Sequence, residues 1–153
     1  MSFRTMIFGC VAGLAVAASA NAESVAPGNV EFEDGAVARS LTGGGGDPAA
    51  GRAVFANRKL GNCLACHANG DLSGESFHGE VGPALDGVAD RWTEAELRGI
   101  VVDSKVFFGD HTIMPAFYRT DGFNRPREDF AGKSILDAQQ VEDVVAYLLT
   151  LRE

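Results

Sequence analysis

The chain has 153 residues, of which 21 are Asp or Glu and 13 Lys or Arg, giving a formal net charge of −8. An acidic surface argues against nucleic acid and anionic membrane as partners, and favours a partner with a basic docking face. The length suits one domain of modest core.

Residues 1–22 read as a secretory signal, cleaved on export. Arg4 supplies a short positive region, and Met6 to Ala18 is an apolar run too short to span a bilayer. Ala20-Asn21-Ala22 then offers a small-residue cleavage site before Glu23. An uncleaved anchor is the rival reading, and a lipid-attachment site at Cys10 a weaker one, since Cys10 falls inside the apolar run. Removing the signal leaves Cys63 and Cys66 as the only cysteines and Met114 as the only methionine.

Residues 23–46 form an N-terminal extension, with Pro27, Gly28 and Gly35 and few large apolar residues. It ends in Gly43-Gly44-Gly45-Gly46, which reads as a flexible hinge. Either it is a disordered leader, or it is an arm that orders on a partner through Val30, Phe32, Val37 and Leu41. The folded domain, residues 47–153, opens at Asp47-Pro48, a capping residue followed by proline at the first helical position. A helix follows to Asn57, with Gly51 and Phe55 on one face.

Next comes Cys63-Leu64-Ala65-Cys66-His67. Two thiols three residues apart on one helical turn can each add across a vinyl group of haem. The imidazole directly after the second thiol then points at the iron from the same side. This is the C-x-x-C-H signature of one covalently bound haem c. A thioredoxin-like redox pair and a zinc hook share the two cysteines but do not call for His67. Export suits the assignment, because bacteria attach haem c outside the cytoplasm, so the expected location is the periplasm.

Asn69 to Gly82 is a polar, glycine-rich loop in which His78 reads as a solvated histidine. In Gly82-Pro83, Pro83 has no N–H and a fixed φ, and can present a rigid carbonyl to the other ring nitrogen of a ligating imidazole. Thr93 with Glu96 is a capping box opening a helix that buries Leu97, Ile100 and Val101. Phe107 to Phe117 reads as a loop carrying His111, Met114 and Pro115, and Tyr118 to Lys133 as a polar, turn-rich segment with Arg119, Arg125 and Arg127. Asp137 with Gln140 caps a last helix running from Gln139 to about Leu151, with Val141, Val144, Val145, Leu148 and Leu149 as its apolar stripe. No strand-length alternation separates these helices, so the fold class is all-α.

The second axial ligand falls to Met114, whose soft thioether favours ferrous iron and raises the reduction potential. Two readings compete with it: Met114 as core filler, and His111 as the ligand in its place.

Taken together, Cys63 to His67, Gly82-Pro83-Ala84-Leu85, Ile113-Met114-Pro115 and the terminal helix resemble the class I cytochromes c from Asp47 to Glu153. The resemblance implies that the first and last helices cross at Gly51, Phe55 and Tyr147. Longer strings resemble the SoxX family, the monohaem subunits of the SoxAX complexes of sulfur-oxidising bacteria. They are Gly79 to Pro83, Leu85 to Trp92, Thr112 to Tyr118 and Gly122 to Pro126. That resemblance implies a SoxA partner holding the catalytic haem, in a heterodimer acting as an L-cysteine S-thiosulfotransferase. There thiosulfate is oxidatively joined to a cysteine of SoxY in the SoxYZ carrier. The present chain, ligated by His67 and Met114 and lacking a spare cysteine, is then the non-catalytic electron-transfer subunit, passing electrons to a downstream cytochrome c or other acceptor. The rival function is a free-standing diffusible cytochrome c.

Overall fold

The computed structural model describes residues 23–153; the expected signal, residues 1–22, lies outside them. Four helices carry the architecture: α1 (Pro48–Ala56), α2 (Val88–Arg91), α3 (Glu94–Phe108) and α4 (Ala138–Leu148). Among the described residues there is no strand, only an isolated antiparallel bridge between Glu33 and Ala36. The fold is all-α.

Local chemistry sets the helix ends. The Asp47 side chain accepts from the backbone N–H groups of Ala49 and Ala50, a cap worth about 1 kcal/mol. Thr93 with Glu96, and Asp137 with Gln140, close complete capping boxes on α3 and α4. The helix α3 runs on to Phe108, past the loop start expected at Phe107. It is also broken at Asp103, whose backbone is extended (φ −150°, ψ 94°).

The helices α1 and α4 cross at the residues that the resemblance implied. Gly51 is required there, because a Cβ would overlap the Asp143 carbonyl. One turn on, Phe55 meets Tyr147 edge to face with ring centroids 5.5 Å apart. Burying Phe55, which is 1% exposed, contributes about 1.5–3 kcal/mol. The Tyr147 hydroxyl donates to Asp71 and accepts from the buried Asn69 amide, tying α4 to the loop after the cysteine motif.

Residues 23–46 fold back onto the helices. Val37 and Leu41 are each 1% exposed in the same core as Phe55 and Val144, while Val30 and Phe32 pack at its margin. Val37 N–H donates to Ala95 O at 2.9 Å, and Leu41 N–H to a Glu142 carboxylate oxygen at 2.7 Å. Glu142 and Arg98 form a buried ion pair at 2.9 Å, and Arg98 also donates to Val37 O. The glycine run ends on a steric constraint, since a Cβ on Gly46 would overlap the Glu142 carbonyl. Of the expected hinge only Gly46 is packed, while Gly43, Gly44 and Gly45 are exposed. Two apolar residues and a distant carboxylate hold the segment before it down.

Candidate haem site

The cysteine motif sits in a tight turn rather than a full helical turn. Asn57 O accepts from Leu60 N–H and Asn62 N–H, which folds the chain sharply after α1. Asn62 completes the turn in the left-handed region (φ 48°, ψ 36°), a conformation that asparagine tolerates better than most residues. A 3-10 turn, Cys63–Ala65, follows, and His67 N–H donates back to Cys63 O at 2.9 Å. Leu64 is buried between the two cysteines and anchors the turn to the core. The cysteines form no disulfide. Burial pushes the Cys63 thiol up to about 12, as expected of a neutral sulfur set in an apolar wall.

The following loop returns alongside this turn. Gly79 N–H donates to Leu64 O, Gly82 N–H to Cys66 O and Leu85 N–H to Ala68 O, at 2.7–3.0 Å. A Cβ on Gly82 would lie 2.7 Å from Nδ1 of His67 and overlap Cε1, so only glycine lets the ring lie against the backbone. His67 Nδ1 stands 2.8 Å from Pro83 O. A carbonyl can only accept, so the proton is on Nδ1, and Nε2 keeps its lone pair for a metal. Arg91 clamps the far side of this loop by donating to Asp86 O at 2.7 Å and Ala84 O at 2.9 Å. Nothing in the composition points to Arg91; its only sequence signal is its place in the Leu85 to Trp92 string.

Cys63, Cys66, His67, Pro83 and Met114 all line one cavity of about 1240 Å³. Phe55, Leu97, Val101, Phe117, Val144 and Leu148 give it apolar walls. Of the three histidines, only His67 lines it; His111 and His78 do not. His78 departs from the solvated role expected of it. Its Nδ1 accepts from Asn69 N–H at 3.2 Å, and its Nε2 lies 3.0 Å from Leu72 O, so it locks the loop. Among the described residues no cluster of three or more His, Cys, Asp or Glu is placed to hold a bare metal ion. The donors here are two thiols, one imidazole and one thioether around an apolar space, a set that fits haem and not a protein-caged ion.

The rim differs in charge from the rest of the chain. Arg58, Lys59, Arg127 and Lys133 line the cavity against a single carboxylate, Asp129, which pairs with Arg127. The global charge of −8 thus does not describe this face. Arg119, Arg125 and Arg127 serve separate purposes. Arg119 pairs with Asp103 at 2.9 Å and stacks on Phe123, whereas Arg125 is an exposed turn residue with φ 55°.

Comparisons with known proteins agree with this geometry. The family model described as "Cytochrome c" matches residues 48–152. Among solved structures, the chain is similar to one in "Crystal structure of SoxXA from P. pantotrophus". The identity is 50% and the TM-score 0.79, over 85% of this chain and 99% of that one. A search of curated proteins returned no match. The chain belongs to the cytochrome c family, with the class I fold, and carries one covalently bound haem c. Within that family it is of the SoxX type, a monohaem electron-transfer cytochrome.

Proposed function

We propose that this chain is the electron-accepting subunit of a SoxAX-type complex in the periplasm, partnered by a SoxA-like cytochrome. In this reading Cys63 and Cys66 would hold haem through thioether bonds, His67 and Met114 would ligate its iron, and Pro83 would orient His67. The observation that carries it is the pairing of an imidazole with an unspent Nε2 lone pair and the lone thioether of residues 23–153 on the walls of one cavity. Haem held by these residues would supply reversible one-electron transfer, and with His67 and Met114 both committed to it no position would be left for thiosulfate. The residues around it bind, orient and exclude water; none is placed as a nucleophile, because both cysteines are used for attachment.

Coupling thiosulfate to a SoxY cysteine within SoxYZ forms one S–S bond and releases two electrons. The bond chemistry belongs to the partner subunit of the L-cysteine S-thiosulfotransferase, and this chain takes the electrons one at a time towards a downstream cytochrome c or other acceptor. Support for the complex comes from the 50% identity to a chain of SoxXA. Val81 and Ile113, 63% and 74% exposed at the cavity mouth, give a docking partner apolar contacts beside the cationic rim. No helix among the described residues is long and apolar enough to cross a membrane. The segment 23–46 packs on its own domain, so it does not count towards a partner.

The experiment is co-expression with a SoxA-like partner in a haem-attaching host, followed by gel filtration and oxidised and reduced spectra. A heterodimer whose spectrum changes when Met114 is replaced by alanine is the expected result. A chain that stays monomeric beside that partner is instead a free-standing carrier. A chain whose ferric spectrum ignores Met114→Ala has another ligand.

A further inference from the structure

The break in α3 lies opposite the Met114 loop. Asp103 leaves helical geometry, and its Oδ1 accepts from Lys105 N–H at 3.0 Å, so it caps a restarted helical turn. The Val101 and Val102 carbonyls, which would face Lys105 and Val106 in an unbroken helix, accept instead from Phe117 N–H at 3.3 Å and Tyr118 N–H at 3.1 Å. Ser104 is wholly buried at 0% exposure. A hydroxyl inside a helix ordinarily bonds back to a carbonyl of the preceding turn. Here Ser104 Oγ donates to Met114 O at 2.7 Å. Lys105 Nζ donates to Thr112 O at 2.9 Å and also to Met114 O. The other Asp103 oxygen holds Arg119, whose guanidinium stacks on Phe123 beyond the loop.

We infer that the Asp103 break is a receptacle that positions Met114, with Asp103, Ser104 and Lys105 as its positioning residues. The inference rests on the reading of Met114 as an axial ligand. The backbone on both sides of the methionine is clamped before any bond to its sulfur is counted. The clamp holds the thioether at its post and opposes its displacement. An external ligand can bind only while Met114 is away, so its apparent affinity scales with the fraction of time that the clamp is open. Losing one net hydrogen bond raises that fraction about fivefold.

The test uses the haem-loaded protein and imidazole, added to the ferric form, as the competing ligand. Wild type, Ser104→Ala, Asp103→Ala and Asp103→Asn are compared, with the weak near-infrared band of methionine-ligated ferric haem as a second readout. Ser104→Ala is neutral in charge, so it tests position alone. It should bind imidazole about fivefold more tightly and show a weaker band. Asp103→Ala should go further, by roughly tenfold or more, as cap and clamp are lost together. Asp103→Asn caps as well as aspartate and should keep the band. Ser104→Ala binding imidazole as wild type does, with the band intact, overturns the receptacle while leaving Met114 as ligand. No band in wild type overturns the ligand reading and the receptacle with it.

Discussion

Glu142→Gln is the sharpest test of why residues 23–46 are held down. The Glu142 side chain is 2% exposed, and its carboxylate accepts from Arg98 Nε at 2.9 and 3.2 Å, from Arg98 Nη2 at 3.1 Å and from Leu41 N–H at 2.7 Å. The glutamine keeps an acceptor for Leu41 but removes the buried anion. Arg98, 3% exposed, is then opposed only by Glu94, whose side chain is 59% exposed. Stranding one charge of a buried pair costs about 3–5 kcal/mol, against a total stability on the order of 5–15 kcal/mol. For a domain of this length that is a fall in Tm of roughly 10–20 °C. Urea unfolding of the haem-loaded protein, followed by far-ultraviolet circular dichroism, measures the loss. Trypsin cleavage after Arg39, exposed between buried Val37 and Leu41, reports whether the segment has come away. A loss below about 1 kcal/mol, the range of exposed pairs, together with unchanged cleavage at Arg39, refutes the reasoning. The double replacement Arg98→Met with Glu142→Leu separates charge from clasp. It removes both ions, yet leaves Val37 O and Leu41 N–H without partners, so it should recover only part of the loss.

Gly82→Ala should push the His67 ring off Pro83 O; overpacking of this kind costs about 1–3 kcal/mol. The check is an altered haem spectrum and reduction potential, and an unperturbed spectrum would count against the close contact. Tyr147→Phe leaves the buried Asn69 amide without its acceptor and should cost about 1–3 kcal/mol in urea unfolding. The Tyr147 hydroxyl, and after it Arg52, hold the Asp71 carboxyl below the usual carboxylate range. A depressed carboxyl contributes stability that is fully present above its unfolded pKa, near 3.9, and is lost as pH falls through its folded value. Stability should therefore decline in acid below about pH 4, and Asp71→Asn should flatten that part of the curve in pH-dependent unfolding.

Features written into short stretches are legible from the residues alone. Asp47-Pro48 and the two capping boxes announce helix starts because a side chain there meets an N–H two or three residues on. The cysteine motif and Pro83 are likewise local chemistry, and each reaches the cavity wall. Features that depend on distant partners are not legible in this way. Arg98 and Glu142 carry no local signal that they meet, and only the fold joins them across 44 positions. Val37 and Leu41 are too sparse to announce a core segment. The break at Asp103 is hidden because aspartate in a helix is ordinary until a neighbouring loop claims the freed carbonyls. His78 reads as solvated because its partners, Asn69 N–H and Leu72 O, are backbone groups that carry no side-chain signal.

Leu41 and Glu142 are 101 positions apart, so the ribosome makes the two halves of that clasp far apart in time. A chain delivered from its N-terminal end lacks the carboxylate that clasps Leu41 until the final helix has emerged. Chains truncated before Ala138 should accordingly be cut by trypsin after Arg39 faster than complete ones.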